Sequence, residues 1–149
     1  MILWGEQAAD VDLGKDSSWA DNLHLLQQSL KVPIVFGMLS YSEKNTSNQV
    51  LQVNNGEIKP VYTKRKPVPF GEFLPGRTLV SKLFPEQVKM LPRDMVAGNR
   101  VGIDKVGKER LGKNNCFEVA VDSLVRPTVN SVANGCFLPT TTSSFGSSY

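Results

Sequence analysis

Histidine is nearly missing from this 149-residue chain, in which His24 is the only one. A single imidazole removes Ser-His-Asp catalysis and most metal sites at once. Cysteine is scarce too: Cys116 and Cys136 are too few for a secreted disulfide framework, and no ligand cluster accompanies them for zinc. No apolar run approaches the roughly 20 residues that span a bilayer. Met1 opens into Ile2-Leu3-Trp4 without the basic stretch of a signal peptide. Charge of one sign is weak as well, with a net +3 from 17 basic and 14 acidic residues. The only basic cluster is Lys64, Arg65 and Lys66, short of the basic face that nucleic acid requires. A modest pull toward anionic headgroups is compatible with this balance.

What is present is the composition of one globular domain, 40% hydrophobic and 21% charged. Residues 1–4 read as a buried strand with Glu6 just beyond its end. Asp16-Ser17-Ser18 offers N-caps for a helix over 19–30, with Trp19, Leu23, Leu26 and Leu30 on one face and His24 beside it as a surface residue. Residues 32–39 form a nearly continuous apolar run, as in a strand covered on both faces. Residues 40–48 read as a polar loop. Residues 49–53 and 58–62 flank Asn54-Asn55-Gly56, a tight hairpin signal. From 63 to 112 the prolines Pro67, Pro69, Pro75, Pro85 and Pro92 predict irregular chain, with short helical turns around 78–84. A stretch that long is usually functional or poorly ordered. Residues 122–132 have helical spacing at Leu124, Val125, Val129 and Val132, with Pro127 fitting only in a first turn. Residues 136–138 read as a short strand and 139–149 as a Ser/Thr-rich loop. The sum is a mixed α/β layered domain. A chain that opens inside a strand and closes in a loop reads as a piece of a longer protein.

Three polar residues stand at places where chemistry could sit: Glu6 after a strand, Lys64 after the hairpin, and Cys116 ahead of a helix. Each alone is unremarkable, since an acid after a strand is usually solvated and a lone cysteine is usually a small buried hydrophobe.

Their surroundings form a pattern. The run Tyr62-Thr63-Lys64-Arg65-Lys66-Pro67-Val68-Pro69-Phe70-Gly71-Glu72-Phe73-Leu74-Pro75 resembles the Tyr-x-Lys-x-x-x-Val-Pro-Phe-Gly-Glu-aromatic-x-Pro signature of apolipoprotein N-acyltransferases. Leu3-Trp4-Gly5-Glu6-Gln7-Ala8 resembles that family's Trp-Pro-Glu-x-Ala strand end. Cys116-Phe117-Glu118-Val119 resembles its nucleophile motif, with Leu124-Val125-Arg126 following in order and Phe145-Gly146 fitting a later segment. The resemblance implies a nitrilase-like αββα sandwich, incomplete here, with residues 1–149 as a partial carbon–nitrogen hydrolase domain lacking the family's N-terminal membrane region. It implies a Glu-Lys-Cys triad of Glu6, Lys64 and Cys116, with Glu72 as a second acid and Phe117 and Glu118 beside the nucleophile.

The chemistry suits these residue types. A thiol splits acyl transfer into two easier steps through a thioester. With no usable histidine, a carboxylate such as Glu6 must take the thiol proton. Lys64 would stabilise the oxyanion, and a position before a helix would favour the Cys116 thiolate. The family reaction moves an acyl chain from phospholipid to the amino group of diacylglyceryl-cysteine on an apolipoprotein, with no cofactor or metal. It takes place at the cell membrane, on the extracytoplasmic face. Leu74, Leu79, Leu83, Phe84, Met90 and Leu91 are apolar enough to meet a bilayer, and equally suited to packing on the domain. A soluble amidase of the same superfamily and an inactive remnant are the competing readings. The family pattern is broken at Gly5, where proline is usual, at Lys113-Asn114-Asn115, where an apolar strand is usual, and at Pro139-Thr140-Thr141-Thr142-Ser143-Ser144, in place of an Asn-rich approach.

Overall fold

The computed structural model describes residues 1–8, 17–131 and 134–140. Val132 and the Phe145-Gly146 segment of the sequence pattern lie outside them, as does Asp16.

Two sheets and flanking helices make up the described chain. Strand β1 (Ile2–Leu3) runs parallel to β2 (Ile34–Tyr41), which pairs antiparallel with β3 (Asn45–Asn54), and β3 in turn pairs with β4 (Glu57–Thr63). A two-residue β5 (Asp94–Met95) adds to the start of β3. The second sheet is β6 (Gly102–Val106), β7 (Glu109–Lys113) and β8 (Gly135–Phe137), with β7 central. Helix α1 (Ser17–Leu30) covers one side of the first sheet: Leu23 packs with Ile34, Phe36, Met38, Leu51 and Val53, and Trp19 meets Phe36 edge-on at 5.5 Å. The other side of that sheet meets the second: Val35, Val50 and Tyr62 pack with Val106, Leu111 and Phe137. Helix α4 (Asp122–Asn130) lies against β7. The order is helix, sheet, sheet, helix, the layering of the αββα sandwich.

One irregularity decides which side chains enter the space between the sheets. Val50 pairs with Tyr62 but Leu51 pairs with Pro60, so Val61 is an extra residue in β4. Without that bulge Tyr62, four residues beyond Ile58, would point to the same face as Ile58, against α1. Instead Ile58 packs on the α1 side and Tyr62 on the inter-sheet side. Lys64, two residues on, follows Tyr62 inward and is wholly buried.

Several expectations need correction. Residues 1–4 are not a buried strand but a two-residue edge, with Leu3 exposed. Residues 40–48 are not a loop. β2 runs on to Tyr41 and β3 starts at Asn45, joined by a turn in which Ser42 Oγ accepts the Asn45 N–H at 3.1 Å. The polar residues there alternate on a strand whose partners satisfy its backbone. The prolines of 63–112 leave room for α2 (Arg77–Leu83), α3 (Pro85–Met90) and the β6–β7 hairpin, which contains none of them. Pro127 sits inside α4 rather than in its first turn. On α1 the buried positions are Leu23 and Gln27, while Leu26 and Leu30 are exposed and His24 is half-buried. The Asn54-Asn55-Gly56 turn is as read, with φ of 51° at Asn55 and 75° at Gly56.

The α2–α3 segment is locked back by one carboxylate. Asp94 accepts both Nε and Nη2 of Arg77, at 2.7 Å each, and the Leu74 N–H at 2.8 Å. The Arg77 hydrogen bonds hold its carboxyl below the usual carboxylate range, against a smaller opposing effect of burial. A depressed native value adds stability above the unfolded pKa of about 3.9, and that stability is lost as pH falls through the native value. The melting-temperature gap between the parent and Asp94→Asn is therefore expected to be level above about pH 5 and to close as pH drops toward 2. A gap unchanged across that range in circular dichroism melts would rule out the ion pair as its source.

Candidate active site

Glu6 comes to the site from beyond β1, and the parallel ladder brings it there. Trp4 N–H donates to Val35 O at 2.9 Å, Gly37 N–H to Gly5 O at 3.1 Å, and Ala8 N–H to Gly37 O at 3.0 Å. The approach at Gly37 is close enough that a Cβ there would stand 2.9 Å from Glu6 Cα and 3.0 Å from Gly5 O. Only glycine fits without displacing the acid. Gly37 was missed in the sequence, although a glycine alone in an apolar strand is the available signal. A Cβ at Gly5, by contrast, would make an ordinary van der Waals contact, with Thr140 O at 3.8 Å.

Lys64 leaves β4 with its N–H on Asn48 O at 2.8 Å. Its Nζ donates to Glu72 Oε1 at 2.6 Å, and Glu72 Oε2 accepts the Val68 N–H at 2.7 Å. The Val-Pro-Phe-Gly-Glu run is thus a turn closed by its own carboxylate, which fixes the ammonium from behind. Phe70 within it takes φ 62° and is exposed.

Cys116 opens a 3-10 turn (Cys116–Ala120) with φ at 51°, in the left-handed region. That conformation costs a non-glycine residue on the order of 1–3 kcal/mol and must be held by its surroundings. Its N–H donates to Pro139 O at 2.9 Å. The residue before it, Asn115, donates its N–H to Glu118 Oε2 at 2.8 Å. Glu118 is buried and accepts four donors in all, the others being Tyr62 Oη at 2.7 Å, the Arg65 N–H at 2.6 Å and the Lys66 N–H at 3.0 Å. One carboxylate therefore ties the Cys116 turn to the chain directly after Lys64.

The electrostatic balance identifies what faces the thiol. Burial pushes the Cys116 thiol up, and the negative charge of Glu6 and a hydrogen bond to it push the same way. Lys64 and the Phe117 N–H pull it down. The net direction is upward, so the resting group is a neutral thiol. The helix-end stabilisation of a thiolate expected from sequence is outweighed by burial and by the adjacent acid. Phe117 contributes through its backbone N–H, its ring being exposed. Glu6, Lys64 and Cys116 are brought together, with Glu72 behind Lys64 and Glu118 behind the turn.

The polar run Lys113-Asn114-Asn115 is fully buried and largely bonded. Lys113 Nζ meets Asp104 Oδ2 at 3.0 Å, Asn114 Nδ2 meets Leu124 O at 3.4 Å, and Asn115 Nδ2 meets Asn48 Oδ1 at 2.6 Å. Among the described residues no group of His, Cys, Asp and Glu could hold a metal ion, and no helix is long and apolar enough to cross a membrane.

No protein-family model matches the sequence. An apolipoprotein N-acyltransferase from Aquifex aeolicus is 34% identical over 104 residues, which is 68% of this chain and 23% of that protein. The chain thus spans about a quarter of the length of the relative it matches. Among solved structures, a variant of an amidase from Nesterenkonia sp. AN1, with acrylamide added to its active-site cysteine, aligns at a TM-score of 0.63 and 15% identity. It covers 93% of this chain and 53% of that one. A second variant of the same amidase, described as of the nitrilase superfamily, aligns at 0.62 and 14% identity over 93% of this chain and 50% of the other.

Proposed function

From a chain that resembles apolipoprotein N-acyltransferase in sequence and has the fold of the nitrilase superfamily, we propose an N-acyltransferase that works through a Cys116 thioester. The observation that carries this reading is the convergence on one neutral thiol of a carboxylate from the first strand's end and an ammonium from the fourth. Cys116 Sγ attacks the ester carbonyl of a phospholipid while its proton passes to Glu6. The oxyanion is met by Lys64 Nζ and the Phe117 N–H, preorganised donors of the kind that most lower such barriers. Collapse breaks the ester bond, and the departing lysophospholipid oxygen takes the proton back from Glu6. The amino group of a diacylglyceryl-cysteine on an apolipoprotein then attacks the thioester, Glu6 accepts its proton, and the released thiolate recovers it.

The acyl donor is a membrane lipid, so the site works at the surface of the cell membrane, by family resemblance on the extracytoplasmic face. Residues 1–149 serve as part of the catalytic domain. Leu79, Leu83, Phe84 and Met90, all more than 60% exposed, line the apolar side of α2 and α3 that would meet lipid. Leu74, grouped with them from sequence, is buried instead, and Leu91 is half-buried. The amidase likeness leaves hydrolysis of a simple amide by the same thiol as the competing chemistry.

Intact-mass analysis after incubation with phospholipid in detergent distinguishes the two. The parent chain is expected to gain one hydroxylamine-labile acyl group, and Cys116→Ser none. Ammonia release from short amides by a folded chain that takes up no acyl group would assign it to hydrolysis.

A further inference from the structure

We infer that Asn48 is the positioning residue of this site, a single buried residue tied to Glu6 directly, to Cys116 through its neighbour Asn115, and to the backbone of Lys64. The inference rests on the reading of Glu6 as the base. Asn48 lies on β3, facing the second sheet, and is wholly inaccessible to solvent. Its Nδ2 donates to Glu6 Oε1 at 2.7 Å. Its Oδ1 accepts Asn115 Nδ2 at 2.6 Å, one residue before the nucleophile. Its backbone carbonyl accepts the Lys64 N–H at 2.8 Å.

Both ends of one planar amide are therefore in use, and it cannot turn without giving up two bonds. The orientation is dictated by chemistry, because an ionised carboxylate only accepts and must be met by the NH₂ end. A buried asparagine two residues before Val50 of the inter-sheet core costs stability unless its hydrogen bonds are made, and here the bonds it makes run to the base and to the nucleophile's turn. The donor fixes the rotation of the Glu6 carboxylate. The Cys116 thiol feels both that carboxylate and the Lys64 ammonium, which Glu72 holds. Asn48 adds fixed geometry to them without adding charge.

The test reads the thiol, not turnover. In a Cys136→Ser background, which leaves Cys116 as the only thiol, the rate of alkylation by iodoacetamide is followed from pH 4 to 10. Alkylation follows the thiolate, and the Glu6 charge and hydrogen bond hold the Cys116 thiol up, so Glu6→Gln is expected to move the profile to lower pH. Asn48→Ala, which lets the Glu6 carboxylate turn away from the thiol, is expected to move it the same way by part of that displacement. Added to Glu6→Gln, Asn48→Ala should change the profile no further. Asn115→Ala, which keeps the bond to Glu6 but frees the amide's other end, should move the profile the same way by less, and it decides the matter should Asn48→Ala not fold. A profile unmoved in the folded asparagine variants, with Glu6→Gln displacing it, overturns the role of Asn48 alone. A profile unmoved by Glu6→Gln overturns the base, and its positioning residue with it.

Discussion

Lys64→Met is expected to slow formation of the Cys116 thioester by about 10²–10³-fold, the usual consequence of deleting one preorganised oxyanion donor. The ammonium is wholly buried and bound to Glu72 at 2.6 Å, so its charge acts in a medium that screens it little. It also opposes the groups that push the Cys116 thiol up, so its removal leaves a thiol harder to ionise as well as an unstabilised oxyanion. Stability falls too, because Glu72 keeps only the Val68 N–H. Breaking a buried pair from one side costs roughly 3–5 kcal/mol. Here that is an upper figure, since Glu72 remains partly exposed. The double variant Lys64→Met/Glu72→Gln separates the two effects: it should recover much of the melting temperature and none of the acylation. Single-turnover acylation measured by intact mass makes the comparison. A folded Lys64→Met chain acylated within tenfold of the parent rate would leave the lysine a purely structural part.

How much of this was legible in the sequence depends on whether the signal was local. The apolar run at 32–39 and the Asn55-Gly56 turn each carry their conformation in their own residues, and β2 and the β3–β4 hairpin form there. The β6–β7 hairpin was lost among the prolines on either side of it. The strand start at Asn45 was lost because polar residues 45–48 look like loop until β2 is seen to pair with them along its whole length. The bulge at Val61 has no signal that a single sequence displays, yet it decides that Tyr62 and Lys64 face inward.

The site shows the same division. Glu6, Lys64, Glu72 and Cys116 were singled out through motif resemblance, which proposes residues and says nothing about what holds them. The holding residues are Gly37, Asn48 and Asn115. Two of these are asparagines that sequence reading assigns to loops or counts as a flaw before the nucleophile. Lys113-Asn114-Asn115 looked like a cost to the fold because a buried polar group without a partner is one. The partners are Asp104, Leu124 O and Asn48, of which Asn48 is 67 positions away from Asn115. Distance along the chain hid Asn48, while Asp104 and Leu124, only 9 and 10 positions from their partners, were hidden by the fold of the β6–β7 hairpin and of α4.

Glu118→Ala is expected to be the most destabilising of the single substitutions at the site, by roughly 3–5 kcal/mol. The carboxylate is almost wholly buried and accepts Tyr62 Oη and the N–H groups of Asn115, Arg65 and Lys66. Truncation strands all four donors. A buried donor left unmade costs about 1–3 kcal/mol, and the partly buried Arg65 and Lys66 N–H groups can turn to water, which keeps the total below four full penalties. A small domain has only about 5–15 kcal/mol to lose, so urea titration should show a midpoint shifted by a large fraction of the whole. Glu118→Gln keeps the shape but offers one acceptor oxygen and an NH₂ that faces donors. It should fall between parent and alanine, with thioester formation reduced more than its stability alone explains, because Asn115 and the left-handed Cys116 lose their anchor together. If both variants unfold with the parent's midpoint, the four hydrogen bonds are not holding the turn, and the positive φ of Cys116 must be maintained by the Pro139 contact instead.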